Sequence, residues 1–129
     1  MTMLKVRVDF GRGPEQALGP GKVRLLELIR EQGSISAAAR TLNMSYRRAW
    51  LLIDAMNQMF SHPVISANAG GRAGGGAALT AFGEQVIDHF RAIEAAALAA
   101  AACHLGALES ALRPPADPER PDVGMPTGE

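Results

Sequence analysis

GSISAAARTLNMSYRRAWLLIDAMNQMFSHPVISANAGGRAGGGAALT, residues 33–80, is the stretch from which the fold is read. Ser36 precedes an alanine run and is expected to cap a short helix by accepting a first-turn amide. Ala38, Ala39 and Leu42 then face inward, and the alanines let a second helix cross closely. Asn43 suits the turn between them, because Asn tolerates left-handed backbone. Ser45 is expected to cap the second helix. On a wheel of about 100° per residue, Ala49, Leu52, Ile53, Met56 and Phe60 form its apolar face, with Arg47, Asp54 and Gln58 opposite. His62-Pro63 ends that helix. Val64 to Ala67 reads as a strand, Asn68 to Gly76 as a glycine-rich turn and Ala77 to Leu79 as the returning strand. Two capped helices, a tight turn and a hairpin predict a winged helix-turn-helix.

The second helix presents Ser45, Tyr46, Arg47 and Arg48 in its first turn, with Trp50 on its flank. Arginines so placed can read guanine edges from the major groove, and the outward Leu51 can touch thymine methyls. The competing reading is an ordinary basic surface turn; the capped helix and turn before it favour DNA. Ser36 and the helix N-termini are expected to hold phosphates. At the hairpin tip, Arg72 and Gly74 fit a wing lying along the DNA backbone, since glycine lets the chain approach another molecule. A flexible loop is one alternative. A nucleotide-phosphate loop is another, but it needs Lys-Ser or Lys-Thr after the last glycine, and Gly76 is followed by Ala77-Ala78-Leu79. Thr80 is grouped with the DNA-facing residues, and its hydroxyl also suits the cap of the next helix.

Working outward, Leu4, Val6, Val8 and Phe10 alternate with Lys5, Arg7 and Asp9, which predicts a half-buried strand paired with the hairpin near Val64. Val23, Leu26 and Ile29, widened by Leu25 and Leu28, predict a helix ended by Gly33. Lys22 opens it as a solvated lysine or a phosphate contact. C-terminal to Thr80, Val86, Phe90, Ile93 and Ala97, then Leu105, Leu108 and Leu112, form two heptad-like segments joined by a stutter. A long helix with such a seam is expected to pair with its copy in a homodimer; the alternative is packing back onto its own domain. The expected organisation is a mainly α chain with a small β-hairpin (α+β): residues 1–80 the winged helix, 81–113 the dimerisation helix and 114–129 a disordered, proline-rich acidic tail.

The formal net charge is zero, but it is unevenly spread. Residues 33–80 carry four positive charges against one negative, and 114–129 carry one against four, so local charge governs binding. The lone cysteine, Cys103, excludes an intrachain disulfide and fits a reducing compartment. No N-terminal signal peptide is visible, and the stretch from Ala92 to Leu112 reads as too weakly apolar to span a bilayer, so a cytoplasmic location is expected. His62, His89 and His104 are scattered, with no carboxylate–His spacing that suggests a metal site or catalytic pair. No catalytic residue, metal or cofactor is expected.

The runs Gly33-Ser34-Ile35-Ser36-Ala37-Ala38-Ala39, Ser45-Tyr46-Arg47-Arg48-Ala49-Trp50, Met56-Asn57-Gln58 and Gly70 to Thr80 resemble the N-terminal domain of the ModE-type molybdate-responsive transcription regulators. The resemblance covers about Leu4 to Leu112. It implies a LysR-like winged helix with a dimerising linker helix, bound to a palindromic operator. Family members sense molybdate through C-terminal oxyanion-binding domains, which this chain does not contain, so molybdate is not expected to bind it. The alternative from another class is a winged-helix dimerisation or interaction module that no longer binds DNA.

Overall fold

Apolar residues at helical spacing and two glycine punctuation points set the first helix. Val23, Leu25, Leu26, Leu28 and Ile29 are all buried, and Gly33 closes the helix in a left-handed conformation at φ 69°. In the computed structural model, which describes residues 4–68 and 76–114, the element order is β1 (Phe10–Gly11), β2 (Ala17–Leu18), α1 (Pro20–Gln32), α2 (Ile35–Thr41), α3 (Tyr46–Met59), β3 (Ile65–Asn68), β4 (Gly76–Leu79) and α4 (Ala81–Glu109). Among the described residues β1 pairs only with β2, and β3 only with β4, both antiparallel. In the hairpin, Ile65 faces Leu79 and Asn68 faces Gly76. One apolar core joins α1, α2, α3, the hairpin base and the start of α4. No polar side chain is buried among the described residues.

The N-terminal alternation is present, but its partner is not the one expected. Leu4, Val6 and Val8 are half-buried while Lys5, Arg7 and Asp9 are exposed. The ladder nevertheless begins only at Phe10 and runs to Leu18, not to the hairpin near Val64. The hairpin's β3 already has β4 at its side, whereas α4 offers the segment an apolar surface. Phe10 packs on Phe90 at 5.9 Å between ring centres, and the amide of Leu4 donates to Glu109 Oε2 at 2.8 Å.

α4 departs from the sequence expectation in three ways. Val86 and Phe90 are not free to form a dimer seam, because they are buried in the chain's own core, Phe90 completely. Their spacing is the same for either partner, and the close α1 surface takes them first. The helix stops at Glu109, so Leu112 lies beyond it and off the heptad line. Finally, α4 is long and apolar enough, by length and composition, to cross a membrane, contrary to the expectation of too weak an apolar run. Many alanines, each modestly apolar, add up across a window with few charges. The proline-rich tail lies outside the described residues, apart from Pro114.

Polar contacts lock α4 onto α1. Arg91 Nε and Nη2 donate to the two carboxylate oxygens of Glu27 at 3.0 and 2.9 Å, and its Nη1 donates to Glu94 at 2.7 Å. Two parallel bonds to one carboxylate are the geometry in which arginine is strongest. Arg30 and Glu84 add a more exposed pair at 2.8 Å. Hydrogen bonding from Arg91 holds the Glu27 carboxyl below its ordinary value of 4.5, with partial burial opposing it. A carboxyl depressed only in the folded state stabilises at pH above its unfolded value and loses that contribution as pH falls through the folded one. Urea-midpoint measurements across pH are therefore expected to show the wild-type chain losing stability below about pH 4.5 more steeply than Glu27→Gln, which lacks the titrating group.

Candidate nucleic-acid interface

α2 and α3 form the core of the candidate interface. The cap of α2 is Ser34, not the expected Ser36: the amide of Ala37 donates to Ser34 Oγ at 3.1 Å. Both serines stand near the helix start, and the helix begins one residue after Ser34, at Ile35, because burying that side chain draws it into the first turn. Ser36 is half-buried within the turn. Ala38 and Ala39 are buried and Leu42 half-buried, as expected. Asn43 takes the left-handed conformation, φ 58°, that reverses the chain.

Ser45 caps α3 as expected, accepting from the amide of Arg48 at 3.0 Å. The first turn holds no acidic residue, so the positive end of the helix is uncompensated by its own chain. Tyr46 is 53% and Trp50 44% exposed, while Arg47 and Arg48 are also exposed. Leu51 is exposed on the outward face, and Ala49, Ile53 and Met56 are buried on the inner one. Among the described residues, Arg40, Arg47 and Arg48 make no ion pair, whereas Arg24, Arg30 and Arg91 do. The cations are neutralised where α1 meets α4 and left open along α2 and α3.

The hairpin stands next to α3. Its tip, with Arg72 and Gly74, lies outside the described residues. Its base is built by residues whose contacts the sequence does not reveal. Asn57 Oδ1 accepts from the amide of Val64 at 2.7 Å, tying the last turn of α3 to the start of the hairpin. Asn57 belongs to the Met56-Asn57-Gln58 run that carries the resemblance, yet its half-buried position on α3 alone does not point to this bond. Thr80 accepts from the amide of Gly83 as the cap of α4 and donates to the Pro63 carbonyl at 2.7 Å. Its hydroxyl proton is thus spent inside the fold. Among the described residues no group of three His, Cys, Asp or Glu could hold a metal ion.

Replacing Asn57 by Ala strands the amide of the buried Val64. A loss of about 1–3 kcal/mol in urea unfolding is expected, and faster amide exchange at Val64 and Ile65 in NMR should report it locally.

Comparison with known proteins follows the same outline. Residues 21–84 match the bacterial regulatory helix-turn-helix protein family of lysR type. The chain is 50% identical over 78 residues to the molybdenum-pterin-binding protein MopB of Rhodobacter capsulatus, covering 60% of this chain and 29% of that protein. It is 44% identical over 93 residues to the molybdenum transport protein ModE of Azotobacter vinelandii, covering 72% and 34%. It is 41% identical over 68 residues to the DNA-binding transcriptional dual regulator ModE of Escherichia coli K12, covering 53% and 26%. The matched part is thus about a third or less of the length of these relatives. Residues 21–84 form a LysR-type helix-turn-helix domain, and the chain resembles the DNA-binding part of the ModE-type regulators.

Proposed function

We propose that this chain is a sequence-specific DNA-binding transcription regulator that acts as a homodimer on a palindromic operator. The observation that carries the reading is the open first turn of α3: Tyr46, Arg47 and Arg48 exposed, with neither arginine in an ion pair, at an acid-free helix N-terminus. Arg47 and Arg48 hydrogen-bond guanine edges, each good pair discriminating by about 1–3 kcal/mol. Trp50 and Leu51 border the groove. Ser36 and Ser45 stand at the helix starts, where phosphates are held. Arg72 and Gly74 contact the DNA backbone, and Thr80 follows the hairpin directly. Mobility-shift titrations should show Arg47→Ala and Arg48→Ala weakening specific binding and blurring base preference at one position each. Unchanged affinity and preference in both would sink this assignment. Adding molybdate is expected to leave the affinity of these 129 residues unchanged.

The dimer uses the part of α4 that its own core leaves open. Ile93, Leu98 and Leu108 are exposed, Leu108 by 61%, and Ala97 and Leu105 are half-buried. A second copy suits this surface better than lipid does. Between Glu94 and Glu109 the uncharged run is 14 residues, about 21 Å of helix, against a hydrocarbon core of about 30 Å. The small alanines also let two helix backbones approach. DNA binding places the protein in the cytoplasm. Leu108→Glu is expected to give monomers in analytical ultracentrifugation, with unchanged far-UV circular dichroism and at least tenfold weaker operator binding, roughly 1.4 kcal/mol or more. A chain that dimerises but shows no salt-dependent DNA affinity would instead be an interaction module.

A further inference from the structure

Three cations from separate elements line one open cleft of about 390 Å3: Arg7 of the N-terminal segment, Lys22 of α1 and Arg48 of α3. Leu42, Met44 and Leu52 also line it. We propose that this cleft seats a backbone phosphate of the DNA strand flanking the groove that α3 reads, with Arg7 and Lys22 as phosphate-holding residues. The proposal rests on the DNA-binding reading above and extends its footprint to the N-terminal segment and α1.

Charge and continuity support it. Asp9 is the only carboxylate lining the cleft, and it meets Arg7 at a loose 3.6 Å. Lys22 Nζ donates to the Ala17 carbonyl at 2.5 Å, which fixes the ammonium at the wall and leaves two of its protons for an anion. Arg48 lies in the first turn of α3, beside Tyr46 and Arg47, so a strand passing that turn reaches the cleft. The first turn of α1 adds amides that no side chain caps, and its one acidic neighbour in the cleft is the Asp9 carboxylate against Gly19.

The cleft favours a phosphate on a strand over a free one. It is open, and its Arg7 side chain is 69% exposed, so a free ion is held weakly against water and salt. A phosphate on a strand already engaged by α3 is delivered at high effective concentration. Its neutralisation releases counterions and adds to the salt dependence.

The test uses the full chain and a selected operator. Affinity is measured against salt for wild type, Arg7→Gln, Lys22→Gln and, as a control, Arg24→Gln, whose cation is paired to Glu27 and Glu31 away from the cleft. Each cleft variant is expected to bind several-fold more weakly, to lower the slope of log affinity against log salt by up to about 0.9, the contribution of one phosphate, and to keep the wild-type base preference. Arg24→Gln should change neither. Circular dichroism checks folding, and Arg7→Gln removes no contact of the core, so it stands if Lys22→Gln misfolds. Wild-type slopes in both cleft variants, while Arg47→Ala still weakens specific binding, would overturn the cleft and leave the regulator reading intact. Equal losses in Arg24→Gln would overturn it as a bulk-charge effect. Inorganic phosphate at matched ionic strength forms a separate arm: shifts of the Gly21 and Lys22 amides in NMR, with unchanged DNA slopes, would mark a free-anion site and overturn the proposal. No DNA binding by wild type would overturn both readings.

Discussion

Val64 is the point through which the functional surface is held in shape. Its amide donates to Asn57 of α3, and its carbonyl accepts from the amide of Thr80 at 3.0 Å. Thr80 in turn bonds Pro63 and caps α4. Gly83 passes so close to the Val64 carbonyl that a side-chain Cβ there would collide with it and with Leu79. Here glycine is required by close approach, since backbone cannot yield as a flexible side chain does. On the other side, the Gly33 carbonyl accepts from the amide of Ala77, pinning β4 to the turn between α1 and α2. The direction of α3, the base of the hairpin and the exit of α4 are therefore set by one cluster of backbone groups, each with a specific partner. Leaving any of them unpaired away from water is costly.

The electrostatics follow from which cations the fold neutralises. The net charge of zero says nothing of this. Glu27 holds Arg91 and Glu84 holds Arg30, which stitches α1 to α4, while Glu94 holds Arg91 from within α4. Arg40, Arg47 and Arg48, on α2 and α3, have no such partner among the described residues. A folded chain with balanced charges thereby presents a cationic face beside a helix N-terminus, and that local field, not the total, is what a polyanion meets.

α4 divides into two parts with different obligations. Gly83, Val86, Ile87 and Phe90 close the core, and Arg91 anchors the helix just beyond them. Past Glu94 the helix leaves the core, and its larger side chains, Leu98 and Leu108, are exposed. The N-terminal segment lies beside part of it, as the bond from Leu4 to Glu109 records. A long apolar spacing in sequence thus serves two surfaces in turn, one of them the chain's own.

The winged helix-turn-helix was legible because its signals are local. Caps, a left-handed Asn and the apolar spacing of α3 act within a few residues, so Ser45, Asn43 and Thr80 can be read one at a time. The charged first turn of α3 was legible for the same reason. Ser34 and Ser36 show the limit: two serines offer the same hydroxyl, and the burial of Ile35 selects between them. Val86 and Phe90 show it more sharply, since a heptad spacing states that a face is apolar without naming what covers it. By itself, the sequence determined the helices, the turn, the hairpin and the local charge of the reading helix. Tertiary structure alone decided that α4 begins inside the core and that the N-terminal segment runs to α4 and β2. It also brought Arg7, Lys22 and Arg48 together. The physical reason is that partners distant along the chain are chosen by competition for buried surface and hydrogen bonds, which no local pattern encodes.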